Sequence, residues 1–302
     1  MSDDAQALSR VDRLGVDRAY TAPVRWTVLA TLGLLAAAAK EQARAADLPL
    51  FVVERSRVIW PQKCAHAATP VPPELQSRMR KELGERGVLV GDGRVDVVTL
   101  GAPACLPGDC GSGQFAVPLG VSQAERTGVF VPASKVDAKA IRALKLVGVE
   151  GTDPDGLRPG LKPLEHPPPA CGDPPAEASS RSPAAGQLVT CLTWLEGNGE
   201  RGVQVQGRGQ LQGNGTALYD VVRFRILEGR PGPWQGQVRG KGSRLPAPVA
   251  FLPGAAPGQV RVLWLRREGI CCPSAASAWV SDVAERTTDG PRHVSGLGQP
   301  CD

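Results

Sequence analysis

Two side chains in this sequence have the types that nucleophilic catalysis needs: Cys110, a thiol, and His66, an imidazole able to take its proton. Cys110 sits in Gly108-Asp109-Cys110-Gly111-Ser112-Gly113 and His66 in Cys64-Ala65-His66-Ala67, with Asp92 or Asp96 as the carboxylate that would orient the imidazole. The rival chemistry for a thiol is oxidation. The chain carries eight cysteines: Cys64, Cys105, Cys110, Cys171, Cys191, Cys271, Cys272 and Cys301, all after residue 45. In an oxidising compartment an even set reads as a disulfide framework, and spacing leaves its connectivity open among 105 pairings. Cys105 and Cys110 enclose Pro107-Gly108, a turn sequence, so the expectation is a loop closed by its own bridge. A bridged Cys110 has no thiolate and cannot attack. Disulfide bonding is therefore expected to prevail here, with Cys110 and His66 kept as the alternative catalytic pair.

The Gly108–Gly113 string resembles the nucleophile loop of chymotrypsin-like proteases, of the viral type that carries cysteine where the cellular enzymes carry serine. The resemblance implies Cys110 as nucleophile, backbone N–H groups aimed at an oxyanion, and His66 as general base. Val117–Val121 and Thr127–Val131 loosely resemble the strands after that loop. The likeness covers the six residues of the string. Only 44 residues separate His66 from Cys110, too few for the strands that such a double barrel sets between base and nucleophile.

Other chemistries find little support. Cys105-x4-Cys110 and the adjacent pair Cys271-Cys272 do not form paired C-x2-C knuckles, and His66, His166 and His293 are scattered, so no metal site is expected. The neighbours Cys271 and Cys272 most simply send their sulfurs to different partners. No H-E-x-x-H, G-x-S-x-G, Walker A or dinucleotide fingerprint occurs, and no cofactor is expected. The net charge of +5 comes from mixed charges without a basic block, and aromatics are sparse, which argues against nucleic acid as a partner. The arginines of the β-like runs (Arg223, Arg225; Arg261, Arg266, Arg267) are expected on the solvated side of half-buried strands. Asn214-Gly215-Thr216 is a formal glycosylation sequon that a turn explains equally well.

The N-terminus speaks to compartment. Trp26–Ala39 is an apolar run of 14 residues, short of the about 20 a spanning helix needs. Arg18 and Arg25 precede it and Ala43-Arg44-Ala45 follows, a small-x-small cleavage pattern. Residues 1–45 therefore read as a secretory signal peptide, with an uncleaved single-pass anchor as the alternative. The resulting location is secreted or periplasmic, and membrane contact is expected only if residues 26–39 are retained.

These residues need elements to position them. With 36 glycines and 28 prolines and no collagen-like period, turns and loops are abundant. Residues 46–151 read as a small α+β module. Strands are expected at Phe51–Val53 and Val58–Trp60 and a helix at Glu74–Arg86, with Leu75, Met79 and Leu83 on one face. A hairpin follows around Asp92-Gly93, then a second helix at Lys135–Val147 behind the S-x-x-D pattern of Ser134 and Asp137. Nine prolines among the 36 residues of 152–187 mark a spacer, which a bridge from Cys171 would pin down. Residues 188–302 alternate as strands between Gly- and Pro-rich turns, a mostly-β, sandwich- or barrel-like domain. The expected function is that of an exported, disulfide-stabilised binding or structural protein with a protein or cell-surface partner. The alternatives are a cysteine hydrolase using Cys110 with His66 and a membrane-anchored accessory subunit.

Overall fold

Runs of valine next to two-residue turns build the first sheet. The computed structural model describes residues 48–65, 69–107, 113–121, 125–162, 170–172, 187–213, 215–238, 242–254, 258–268, 275–283 and 287–288. Strands β1 (Phe51–Glu54) and β2 (Arg57–Cys64) are joined by Arg55-Ser56, both with positive φ. Helix α1 (Pro73–Leu83) starts on a proline, whose missing N–H costs nothing in the first turn. It ends at Leu83, where Gly84 takes a positive φ of 73°, three residues before the end expected from sequence. Strands β3 (Arg86–Gly91) and β4 (Arg94–Thr99) form the predicted hairpin, with Asp92 and Gly93 at φ 52° and 73°. Next come β5 (Ala104–Pro107), β6 (Gly113–Pro118) and β7 (Gly128–Pro132), and the sheet runs β4-β3-β7-β1-β2-β6-β5. It curls on itself: Leu100 bridges Leu119, and Gly101 N–H donates to the Pro118 carbonyl.

The second predicted helix is absent. Asp137 caps only a single 3-10 turn, Ala138–Ala140, by accepting the Lys139 N–H at 3.0 Å. The chain then continues as β8 (Arg142–Ala143) and β9 (Lys145–Gly151). The valines and leucines of this stretch fit a strand as well as a helical face, and ladders to distant strands decide between them. Those strands are β10 (Gln187–Leu195), β11 (Arg201–Leu211), β12 (Ala217–Glu228), β13 (Arg230–Pro231), β14 (Gly236–Val238), β15 (Ala247–Pro253), β16 (Val260–Glu268), β17 (Ala275–Asp282) and β18 (Thr287–Thr288). Strand β8 pairs with β15, and β9 pairs with β10 from Gly151↔Thr190 to Lys145↔Leu195. The strands on either side of the proline-rich tract are thus neighbours in one sheet. That sheet runs β18-β14-β12-β11-β10-β9, with β13 beside β12, and a third runs β17-β16-β15-β8.

Three apolar cores stack these layers. Leu75, Met79 and Leu83 of α1 meet Phe51, Trp60, Leu89, Phe115 and Phe130 on one face of the first sheet. The opposite face, with Val52, Val88, Val90, Val129 and Val131, packs on Leu252, Leu263, Leu265, Ala276 and Ala278 of the four-stranded sheet. The far side of that four-stranded sheet presents Phe251, Val262, Trp264 and Trp279 to Trp194, Val203, Val205, Val222 and Phe224. A sheet buried on both faces needs unbroken apolar runs, and Val262-Leu263-Trp264-Leu265 is such a run. Trp264 stacks on Trp279, meets Phe224 edge-on at 5.0 Å and donates its indole N–H to Ser281 Oγ at 2.8 Å. The described chain is therefore mostly β, with one α-helix among the described residues and two disulfides.

Candidate binding face

The first disulfide joins Cys64, at the end of β2, to Cys105 of β5. This corrects the expected Cys105–Cys110 loop: the Cys105 sulfur is already taken, by a residue 41 positions away. Strand β6 lies between the two, and Gly113, paired with both Cys64 and Pro107, leaves room for the bridge. A Cβ on Gly113 would lie 2.8 Å from the Cys64 sulfur and 2.9 Å from the Cys105 sulfur. The last glycine of the Gly108–Gly113 string thus serves this crossing. Cys110 and His66 lie outside the described residues, as do His166, His293, Asn214, Cys271, Cys272, Cys301 and the whole of residues 1–47. The two carboxylates considered as orienting groups sit far from β2 in the strand order. Asp92 occupies the hairpin turn, and Asp96 on β4 is ion-paired with Arg126, which also donates to the Gly91 carbonyl at 3.0 Å.

The second disulfide joins Cys171, within the proline-rich tract, to Cys191 of β10. It holds Ala170-Cys171-Gly172 against the face of the second sheet that points away from the core. Strand alternation places Cys191 and Thr193 of β10, Gln204 and Gln206 of β11, and Arg223 and Arg225 of β12 on that face. The register sets Thr193, Gln204 and Arg225 in one cross-strand row and Cys191, Gln206 and Arg223 in the next.

In the first row Gln204 donates to Thr193 Oγ1 at 3.0 Å and accepts from Arg225 Nε at 2.7 Å. Arg225 Nη2 donates to the Ala170 carbonyl at 2.9 Å, and the Cys171 N–H donates to the Glu150 carboxylate at 3.1 Å. In the second row Arg223 Nε donates to Gln206 Oε1 at 2.9 Å. Both guanidiniums lie over Trp234, at 4.5 Å and 4.7 Å from the ring centroid, a cation–π contact that strengthens as water is excluded.

This arrangement corrects the expected solvated arginine face at Arg225 and Arg266, whereas Arg223, Arg261 and Arg267 stay partly exposed. Arg225 is 3% exposed and Gln204 fully buried, and on β16 Arg266 is likewise 3% exposed. Arg225 enters the interior with acceptors at Gln204 and Ala170 and the Trp234 ring beside it, which offsets its loss of water. Arg261 is half-buried and donates to the Pro253 carbonyl at 3.0 Å; burial lowers its pKa, with Asp282 opposing. On the core side of the same strands, Tyr219 donates to Thr190 Oγ1 at 3.0 Å, and burial pushes its phenol up to about 12. At the rim, burial raises the Asp155 carboxyl, and Arg244 opposes that shift.

Sequence reading missed Gln204, Gln206 and Trp234, because alternating glutamines look like an exposed edge until a strap covers them. The signal available was Cys171: a cysteine in a proline tract must reach a strand, and whatever lies beneath becomes interior. Chemically the row is a closed network in which Thr193, Gln204 and Arg225 satisfy one another beneath the strap. Among the described residues no group of three or more His, Cys, Asp and Glu side chains is placed to hold a metal ion, and no helix is long and apolar enough to cross a membrane. No family model, no curated protein and no solved structure matches this chain.

Proposed function

We propose that this chain is an exported binding or structural protein, held in its fold by disulfides and presenting ordered polar surfaces to a protein or cell-surface partner. One observation carries the reading: Cys64–Cys105 and Cys171–Cys191 are buried bridges that tie separate segments together, which suits an oxidising compartment. In this reading residues 1–45 are a signal peptide. The part carrying α1 and the first sheet forms an α+β module, and the proline-rich stretch is a spacer pinned by Cys171. Rigidity is the functional gain, because a preorganised surface loses little entropy on binding.

The test is a non-reducing peptide map of the protein recovered from an exporting host, with free thiols alkylated first. Both bridges intact, together with an N-terminus near Ala46, support the reading. An intact N-terminus with all eight thiols alkylated overturns it. Alkylation of Cys110 alone among paired cysteines instead favours the hydrolase, and retention on membranes after a carbonate wash favours the anchored subunit.

A further inference from the structure

Strand β4 ends the order of its sheet, and among the described residues its outer edge is open along a short stretch. The two-residue turn at Asp92-Gly93 makes Gly91 and Arg94 a hydrogen-bonded pair, so Leu89 with Asp96 and Gly87 with Val98 follow. The backbone groups of Val95 and Val97 therefore point away from β3. Among the described residues no backbone hydrogen bond completes them. The edge is closed at each end: the Thr99 carbonyl accepts from Gly120 N–H, and Gly93 lies against Lys145.

Beside this gap lies an open groove of about 540 Å³ whose lining is mixed: Val88, Val97, Ala133, Val136 and Ala138 with the polar Ser134, Lys135 and Asp137. Val97 is 67% exposed, a large apolar side chain left in water at the mouth of this groove. The surroundings are basic. Lys135, Lys139 and Lys145 are exposed, and Arg86 is exposed at the far end of β3. The acids nearby are Asp137, whose carboxylate caps the Lys139 N–H, Asp92 at the turn, Asp96, which is paired with Arg126, and the exposed Glu85 beside Arg86.

A strand edge unpaired among the described residues, an exposed valine over a groove of mixed lining and a rim of three lysines together specify an extended peptide that carries apolar and acidic side chains in alternation. We propose that the Val95–Val97 edge of β4 is a docking site for such an acidic peptide segment of a partner protein. The segment pairs its backbone with Val95 and Val97, sets one apolar side chain against Val97 and Val136, and turns its carboxylates toward Lys135, Lys139 and Lys145. This rests on the reading of the chain as a binding protein and names the chemistry of the partner.

The test titrates the full chain, disulfides intact, into a fluorescein-labelled heptapeptide alternating glutamate and valine, read by anisotropy at low salt. Three further probes accompany it: the same peptide N-methylated at alternate residues, a lysine–valine counterpart, and the K135E/K139E variant, whose changes are on exposed side chains. The expected result is saturable binding by the glutamate peptide that N-methylation weakens about tenfold, as loss of one or two backbone hydrogen bonds requires. K135E/K139E and added salt should weaken it as well, about three- to tenfold. Absence of binding, equal binding of the methylated peptide, or indifference to charge reversal overturns the proposal. Bridge mapping on the same sample separates the two failures: intact bridges without peptide binding remove this site alone, whereas free thiols throughout remove the exported-protein reading whatever the peptide does.

Discussion

Arg225 and Gln204 face each other across β11 and β12 with a 2.7 Å hydrogen bond, and both are sealed from solvent. Neither side chain can rehydrate without moving the strap at Ala170, so the two form one unit. Arg225→Met should cost about 2–4 kcal/mol, because it leaves the buried Gln204 Oε1 without its donor and releases the Ala170 carbonyl. Gln204→Leu alone should cost about 1–3 kcal/mol for the mirror reason. The double variant should lose clearly less than the sum, by about 1–2 kcal/mol. Urea unfolding of the oxidised protein measures this cycle; strict additivity would show the row to be two independent contacts.

The two disulfides close chain segments of different length, 41 and 20 residues. In the chain-entropy account, removing Cys64–Cys105 by paired serine substitution costs about 4 kcal/mol and removing Cys171–Cys191 about 3 kcal/mol. The second loss should also reach across the sheet. Without the bridge two hydrogen bonds among the described residues hold Ala170 and Cys171, so the effect of Arg225→Met should shrink in the Cys171→Ser/Cys191→Ser background. Thermal midpoints of the four proteins decide the matter, and an undiminished Arg225→Met effect would mean that the strap stays in place by itself.

Much of the architecture could be read from residue order. The Asp92-Gly93 hairpin, the Leu75–Met79–Leu83 helix face and the alternation of Val222, Phe224 and Ile226 are all local patterns, and each appears where local physics puts it. What failed depended on partners distant in sequence. Residues 141–149 satisfy a helical spacing and a strand equally well, and only β10 and β15 decide between them. Arg225 follows the same alternating pattern as a solvated strand residue. Its burial comes from a strap anchored at residue 171, 54 positions earlier, which no window of neighbouring residues contains. The Cys64–Cys105 pairing was equally hidden, since it depends on β6 bringing β2 and β5 to either side of Gly113.

Gly113 offers a direct check on that crossing. Gly113→Ala puts a methyl group within 3.0 Å of both sulfurs and of the Cys64 carbonyl oxygen. Overpacking of this kind costs about 1–3 kcal/mol. If the sulfurs are the obstacle, the cost should fall by about half or more when the same substitution is made in a Cys64→Ala/Cys105→Ala background, which removes both sulfurs. Equal costs in the two backgrounds would place the clash on the backbone of β2 rather than on the bridge.

The last prediction concerns alkaline pH. Burial is the main reason the Tyr219 phenol is pushed up to about 12, and its hydrogen bond to Thr190 opposes the shift. In the unfolded chain the same phenol ionises near its ordinary value of about 10. Between those values the unfolded state has released a proton that the folded state still holds. Rising pH therefore favours unfolding: the contribution is fully present below about pH 10 and is lost as pH approaches 12. Tyr219→Phe keeps the ring in its core, gives up the bond to Thr190 at about 1 kcal/mol near neutrality, and has nothing to ionise. The gap between wild type and Tyr219→Phe in urea midpoint should narrow from pH 9 to pH 11.5, because lysines and the other tyrosine titrate alike in both. Parallel curves across that range would mean that the phenol reaches water in the folded protein, and the sealed contact of Tyr219 with Thr190 would be wrong.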